Sequence, residues 1–249
     1  MEQTRKKFLK NLFIGATSVP LLIEACKKTD VVSVTTNSSS GSGSNTSGTC
    51  TIAPTETAGP FPTVTPSTLT RSDIRDDRTG VAFTVTINVR NTNNSCAALA
   101  GVIVDIWHCD KDGYYSEYGG SGMQSINYTA VHFLRGRQVT DTNGQVTFTS
   151  IFPGWYSGRA THIHVHVFDS AGNSLMITQI SFPEGSASAV ATVNGSGGVA
   201  YGYTKGMSSY TYNASDNVFA DDTSEIEVAT VTGSLSNGYL LTKTINVAA

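Results

Sequence analysis

Phe83-Thr84-Val85-Thr86-Ile87-Asn88-Val89-Arg90 alternates apolar and polar side chains without a break. Successive side chains of a strand point to opposite faces, so this run is a strand with one face buried. Outward from it, Val102, Val104 and Ile106 repeat the pattern around Asp105. Asn143-Gly144, between Val139 and Val146-Thr147-Phe148, is a strong hairpin signal, because a tight turn needs residues that accept positive φ. Asn237-Gly238 plays a similar part before Leu240-Leu241-Thr242-Lys243-Thr244-Ile245. Met176 to Phe182 and Ile226 to Val231 complete a set of strands separated by Gly, Ser and Asn. No long amphipathic helix and no internal repeat follow residue 50. The pattern predicts an all-β fold, a β-sandwich of mostly antiparallel short strands with long loops. Residues 184–224, rich in Gly, Ser and Tyr, are expected as loops with a short helix.

The remainder of the 249 residues reads differently. Residues 1–25 have the build of a lipoprotein-type export signal: Arg5, Lys6, Lys7 and Lys10 precede the short apolar run from Leu12 to Ile23, and Ala25 stands before Cys26. Ile23-Glu24-Ala25-Cys26 resembles a bacterial lipobox, with Glu24 unusual there, which implies cleavage and lipidation at Cys26. The basic start fits a Sec signal or a weakened twin-arginine signal, and both stay open. Residues 26–49 combine the lipidated Cys with a Ser/Gly/Thr linker that cannot bury a core. Residues 50–249 are long enough for one domain. The expected location is outside the cytoplasm, lipid-anchored to a bacterial membrane on its periplasmic face or at the cell surface. A formal net charge of -3 with no basic block argues against nucleic acid as a partner. Cys50, Cys96 and Cys109 then make one disulfide and one buried thiol, with Cys50–Cys96 the expected pair.

The chemistry concentrates in two segments, Trp107 to Ser116 and Pro153 to His164. His162, His164 and His166 alternate with Ile163, Val165 and Val167, so a strand places all three imidazoles on one face. A polar strand face in water is the competing account, and spacing alone does not say which histidines bind. Tyr115 and Tyr156 follow Gly113 and Gly154, which permit sharp turns before them. The other tyrosines are read as packed rings with bonded hydroxyls. Two phenols with two imidazoles form a mixed ligand set, in which phenolate favours ferric iron.

Beyond single residues, Trp107-His108-Cys109-Asp110-x-x-Gly113-x-Tyr115-Ser116, Arg135-Gly136-x-Gln138-x-Thr140-Asp141-x-x-Gly144 and Pro153-Gly154-x-Tyr156-x-Gly158-Arg159-x-x-His162-x-His164 resemble the intradiol ring-cleavage dioxygenases. Thr55-Glu56-Thr57-Ala58-Gly59-Pro60-Phe61, Thr178-Gln179-Ile180-x-Phe182 and Asn237-Gly238-Tyr239 extend the likeness across 50–249. The resemblance implies Fe(III) held by Tyr115, Tyr156, His162 and His164. It implies catalytic parts for Tyr156, Arg159 and Gln179. A catechol-type ring would be opened between its two hydroxylated carbons with O2, giving a muconate-type diacid. His166 has no ligand role in that pattern, and His108 and His132 are expected to be structural. The short Tyr156–His162 connection implies an open pocket. Two rivals stand beside this reading, a copper- or zinc-binding lipoprotein using His162, His164 and His166, and a non-catalytic β-sandwich. The substrate among catechols and the oligomeric state are not legible.

Overall fold

The computed structural model describes residues 50–120 and 122–249. The expected export signal, 1–25, and the linker, 26–49, lie outside them. Among the described residues nine strands form two sheets: β1 (Ala82–Asn91), β2 (Ala97–Ala98), β3 (Ile103–Trp107), β4 (Arg135–Val139), β5 (Gln145–Ile151), β6 (His162–Phe168), β7 (Ser174–Ser181), β8 (Thr230–Ser234) and β9 (Gly238–Val247). One sheet runs β4-β3-β6-β7 and is antiparallel throughout. In the other, β1 pairs antiparallel with β5 and β2, and parallel with β9, whose outer edge carries β8. The fold is thus an all-β sandwich, with one parallel pair at its centre.

The alternation that identified β1 places Phe83, Val85, Ile87 and Val89 between the sheets, each at most 1% exposed. Val104, Ile106, Ile163, Val165, Val167 and Ile180 meet them from the facing sheet. Burying a side chain of this size contributes about 1.5–3 kcal/mol, so this layer dominates the fold's stability. The histidine strand divides accordingly, with aliphatics toward this core and imidazoles on the outer face.

Two expectations need correction. Asn143-Gly144 does form a turn, with Gly144 at φ 73° and the Asp141 carboxylate accepting the Asn143 and Gln145 N–H groups at 2.9 and 2.8 Å. It does not close a hairpin, because β4 pairs with β3 and β5 with β1, in different sheets. Local chemistry bends the chain there, while the choice of strand partner is made by the two cores. The strand expected at Ile226 to Val231 begins instead at Thr230. Residues 226–229 run beside the end of β7, with Ser181 N–H donating to Glu227 and Ala229 N–H to Ser181. Asn237-Gly238 does close the β8–β9 hairpin, and the short helix of the 184–224 region is α1 (Ala189–Val193). Cys50 is bonded to Cys96, Cα to Cα 5.8 Å, and Cys109 is a buried thiol.

Candidate metal centre

Cross-strand register composes the outer face of the β4-β3-β6-β7 sheet. Trp107, His164 and Gln179 lie side by side, and His162 pairs with Ser181. The loop after β3 brings Tyr115 over this surface. Its Oη lies 3.0 Å from His162 Nε2 and 3.4 Å from His164 Nε2, and the two Nε2 atoms are 3.1 Å apart. Two ligands each about 2.1 Å from a metal are about 3.0 Å apart at a right angle and about 3.4 Å apart at the tetrahedral angle. The triangle therefore has the edges of a coordination polyhedron.

Its electrostatics fit a cation as well. His162 Nδ1 donates to the Ala160 carbonyl at 2.6 Å, leaving Nε2 with a lone pair aimed into the triangle. Burial, and then the Arg159 charge, holds His162 down at about 3. Burial likewise holds His164 well below the usual imidazole range, and its Nδ1 has no hydrogen-bond partner among the described residues. With the His162 Nε2 lone pair aimed inward, a cation would satisfy all three atoms once the phenol ionises and His164 presents an unprotonated Nε2. Burial keeps Tyr115 protonated well above the usual phenol range, and a trivalent cation alongside would reverse that order. No group of three or more His, Cys, Asp or Glu among the described residues forms a comparable set, so the phenol completes this one. The residues fit a hard trivalent metal.

The shell around the triangle is closely built. Trp107 stacks parallel to His164 at 4.9 Å. Gly59, at φ +69°, lies against the ring edge, where a Cβ would stand 2.9 Å from His164 Cε1. Phe61 stacks on Tyr115 at 4.8 Å. The Gln124 side chain grips the Tyr115 peptide from both sides, its Oε1 accepting the N–H at 2.8 Å and its Nε2 donating to the carbonyl at 2.7 Å. Arg135, fully buried, donates to Ser116 Oγ, the Ser116 carbonyl and the Phe61 carbonyl at 2.8, 2.6 and 2.9 Å. These contacts bury Tyr115, His162 and His164 to 2% exposure or less. The open pocket expected from the short Tyr156–His162 connection is therefore absent at the triangle, because the amino-terminal Gly59–Phe61 segment covers it.

Tyr156 stands beside this group without joining it. Its ring is 6.0 Å from that of Tyr115, and its hydroxyl donates to the Met123 carbonyl at 3.0 Å. A cleft of about 540 Å³ is lined by Tyr114, Gln124 and Tyr156, which neighbour Tyr115, and by Asp112 and Lys205 among others. His166 also stands apart, stacked on Phe168 at 3.7 Å and bonded to Ser174 Oγ at 2.8 Å. His108 is buried against Ser150 Oγ, and His132 pairs with Glu117.

Arg159 and Gln179 are brought together, Nη2 to Oε1 at 2.8 Å, and Gln179 Nε2 donates to the Thr57 carbonyl. Arg159 is also in a salt bridge. Its Nε donates to Asp216 at 2.9 Å, and Asp216 further accepts the Ala160 and Val218 N–H groups at 2.7 and 2.8 Å. Burial alone would raise the Asp216 pKa, but Arg159 and those two N–H groups outweigh it and hold it below the usual range. The same segment sets Phe219 under the Arg159 guanidinium, 5.5 Å away, with its ring 6.3 Å from that of His162. Sequence reasoning missed Asp216 and Phe219, which lie in the region read as loop, where no periodicity marks any position. Gln124 is equally silent, since its role depends on the path of the loop.

The sequence model described as dioxygenase matches residues 60–194, more than half of the chain, a span that includes Tyr115, Tyr156, Arg159, His162, His164 and Gln179. Over 182 residues the chain is 29% identical to the chlorocatechol 1,2-dioxygenase of Rhodococcus opacus, covering 66% of this chain and 65% of that relative's length. An intradiol ring-cleavage dioxygenase from Tetranychus urticae is similar in structure, with a TM-score of 0.67 and 30% identity over 80% of this chain and 95% of that one. The dioxygenase domain of a dioxygenase–carbohydrate-binding fusion from Streptomyces sp. SirexAA-E shares the fold at a TM-score of 0.56 and 22% identity, covering 80% of this chain and 99% of that chain. The chain belongs to the intradiol ring-cleavage dioxygenase family.

Proposed function

We propose that this protein is a non-haem Fe(III) dioxygenase that opens a catechol-type ring between its two hydroxylated carbons with O2, yielding a muconate-type diacid. The convergence of Tyr115 Oη, His162 Nε2 and His164 Nε2 within 3.0–3.4 Å carries this reading. Those three residues would hold the ion, and Tyr156 would complete the set. Bound there, Fe(III) supplies Lewis acidity that draws electron density from the catechol oxygens and makes the ring reactive toward O2.

The protein's own groups then have defined tasks. Tyr156 would turn from the Met123 carbonyl to hold the ion as a phenolate, its own proton passing to solvent, and that phenolate would be the base that accepts a proton from a substrate hydroxyl. Arg159 stabilises the negative charge that develops on the opening ring, and it is worth most where water is excluded. Asp216 and Gln179 hold the guanidinium in place, so Gln179 acts through Arg159 as much as on substrate. Trp107, Phe61 and Phe219 keep the site dry. His166, turned toward Ser174, gives no support to a centre built on three histidines. The same proposal places residues 50–249 outside the cytoplasm, tethered through Cys26.

The test is the visible spectrum of the full chain loaded with iron, before and after anaerobic addition of catechol. A wine-red tyrosinate band that moves to longer wavelength is the expected result. A colourless protein holding stoichiometric iron, unchanged by catechol, overturns the reading.

A further inference from the structure

The loop between β3 and β4 supplies Tyr115 and, nine residues later, Gln124, which is 3% exposed. The Gln124 Nε2 donates to the Tyr115 and Tyr118 carbonyls at 2.7 and 3.0 Å, while its Oε1 accepts the Tyr115 N–H at 2.8 Å. A side-chain amide has two hydrogens to donate, and both are committed to main chain. Gln124 lines the cleft beside Tyr156, yet it acts there by holding rather than by binding a ligand.

What it holds is the peptide unit that precedes it. That unit carries the Met123 carbonyl, which accepts the Tyr156 hydroxyl at 3.0 Å. A peptide unit is planar and stiff, so pinning Gln124 limits where the Met123 carbonyl can stand. The chain just before it is loosely packed. The Met123 side chain is 56% exposed, and Gly120 and Gly122 have open space where a Cβ would lie. Tyr115 is thus fixed through its own peptide, and Tyr156 through the carbonyl next to Gln124, with the two rings 6.0 Å apart.

Tyr156 needs two places. On the ion it stands as a phenolate. Off the ion it carries a proton, and a hydroxyl cut off from water by a substrate is costly without an acceptor. The Met123 carbonyl is such an acceptor, and the Tyr156 hydroxyl occupies it.

We propose that Gln124 is a positioning residue for Tyr156: locked onto the Tyr115 peptide, it fixes the Met123 carbonyl as the seat that receives the Tyr156 hydroxyl when that phenol stands off the ion. The inference rests on the dioxygenase reading, in which Tyr156 is a ligand that substrate displaces.

Anaerobic titration of the iron-loaded full chain with catechol, followed through the tyrosinate band, tests it in four forms: the parent, Gln124→Met, Tyr156→Phe and the double variant. Gln124→Met keeps the length of the side chain and loses its bonds to Tyr115 and Tyr118. It should weaken catechol binding about fivefold more in the parent than in the Tyr156→Phe background, the worth of one hydrogen bond. A structural fault alone would weaken binding equally in both, so equal losses overturn the proposal. Unchanged affinity in Gln124→Met overturns it too. Should Gln124→Met not fold, Gln124→Glu keeps an acceptor for the Tyr115 N–H and carries the same comparison, with an excess loss of about threefold. The parent separates this inference from the reading beneath it. Without a tyrosinate band that catechol shifts, the dioxygenase reading fails and takes the inference with it. With that band present and the losses equal, the inference alone fails.

Discussion

Arg159 and Asp216 show how one buried pair fixes both a charge and a loop. The Arg159 side chain is 12% exposed and that of Asp216 is fully buried, so each would be costly to leave alone. Removing one member of such a pair typically costs about 3–5 kcal/mol, because the other charge stays buried. We expect Asp216→Asn, which keeps the shape and loses the charge, to lower stability by about 3 kcal/mol in denaturant unfolding. It should also lower kcat more than it raises KM, since Arg159 would lose the anchor that aims it at charge developing in the transition state. An unchanged unfolding midpoint would refute the structural half of this account. At the same scale, Gly59 is required by its conformation and by its neighbour. An alanine there must hold φ +69° and push its Cβ against His164, so Gly59→Ala should weaken metal retention in a chelator-competition assay.

Among the elements, residues 226–229 repay attention because they pass beside the end of β7 without forming a strand. Glu227 is 2% exposed and its Oε1 has no hydrogen-bond partner among the described residues. Burial first, then neighbouring carboxylates, raise it from 4.5 to about 8. The folded state therefore keeps this proton where the unfolded chain has released it. Its contribution is intact below the unfolded pKa and is lost as pH rises through the folded one. Glu227→Gln should match the parent near pH 4.5 and become progressively more stable toward pH 8, where the gap levels off. Melting temperatures across that range check the sign, at roughly 2–4 °C for each kcal/mol recovered. A gap that shrinks with pH would contradict it. The turn at Asp141–Gly144 teaches the companion lesson, that a well-formed turn need not join paired strands.

For the molecule as a whole, the Cys50–Cys96 bond closes the start of the domain onto the turn after β1. Such a bond suits an oxidising compartment, in keeping with the export signal read at 1–25. Cys26→Ala should move the protein from the membrane fraction to the soluble fraction without changing its melting temperature. Retention in the membrane would exclude the lipid anchor. Periodicity alone was enough to define the sandwich, because one buried face per strand is a local demand written residue by residue. For the ligand candidates, spacing placed His162, His164 and His166 on one strand face without choosing among them, and the resemblance named His162 and His164 together with Tyr115 and Tyr156. Tertiary structure decided the rest. Which strands pair across β4 and β5, that Tyr156 turns to Met123, that Asp216 reaches back to Arg159, and that Gly59 and Phe61 roof the triangle all join residues far apart in the chain. Such contacts have no local energetic signature, because each depends on where two cores place loops that carry no pattern of their own.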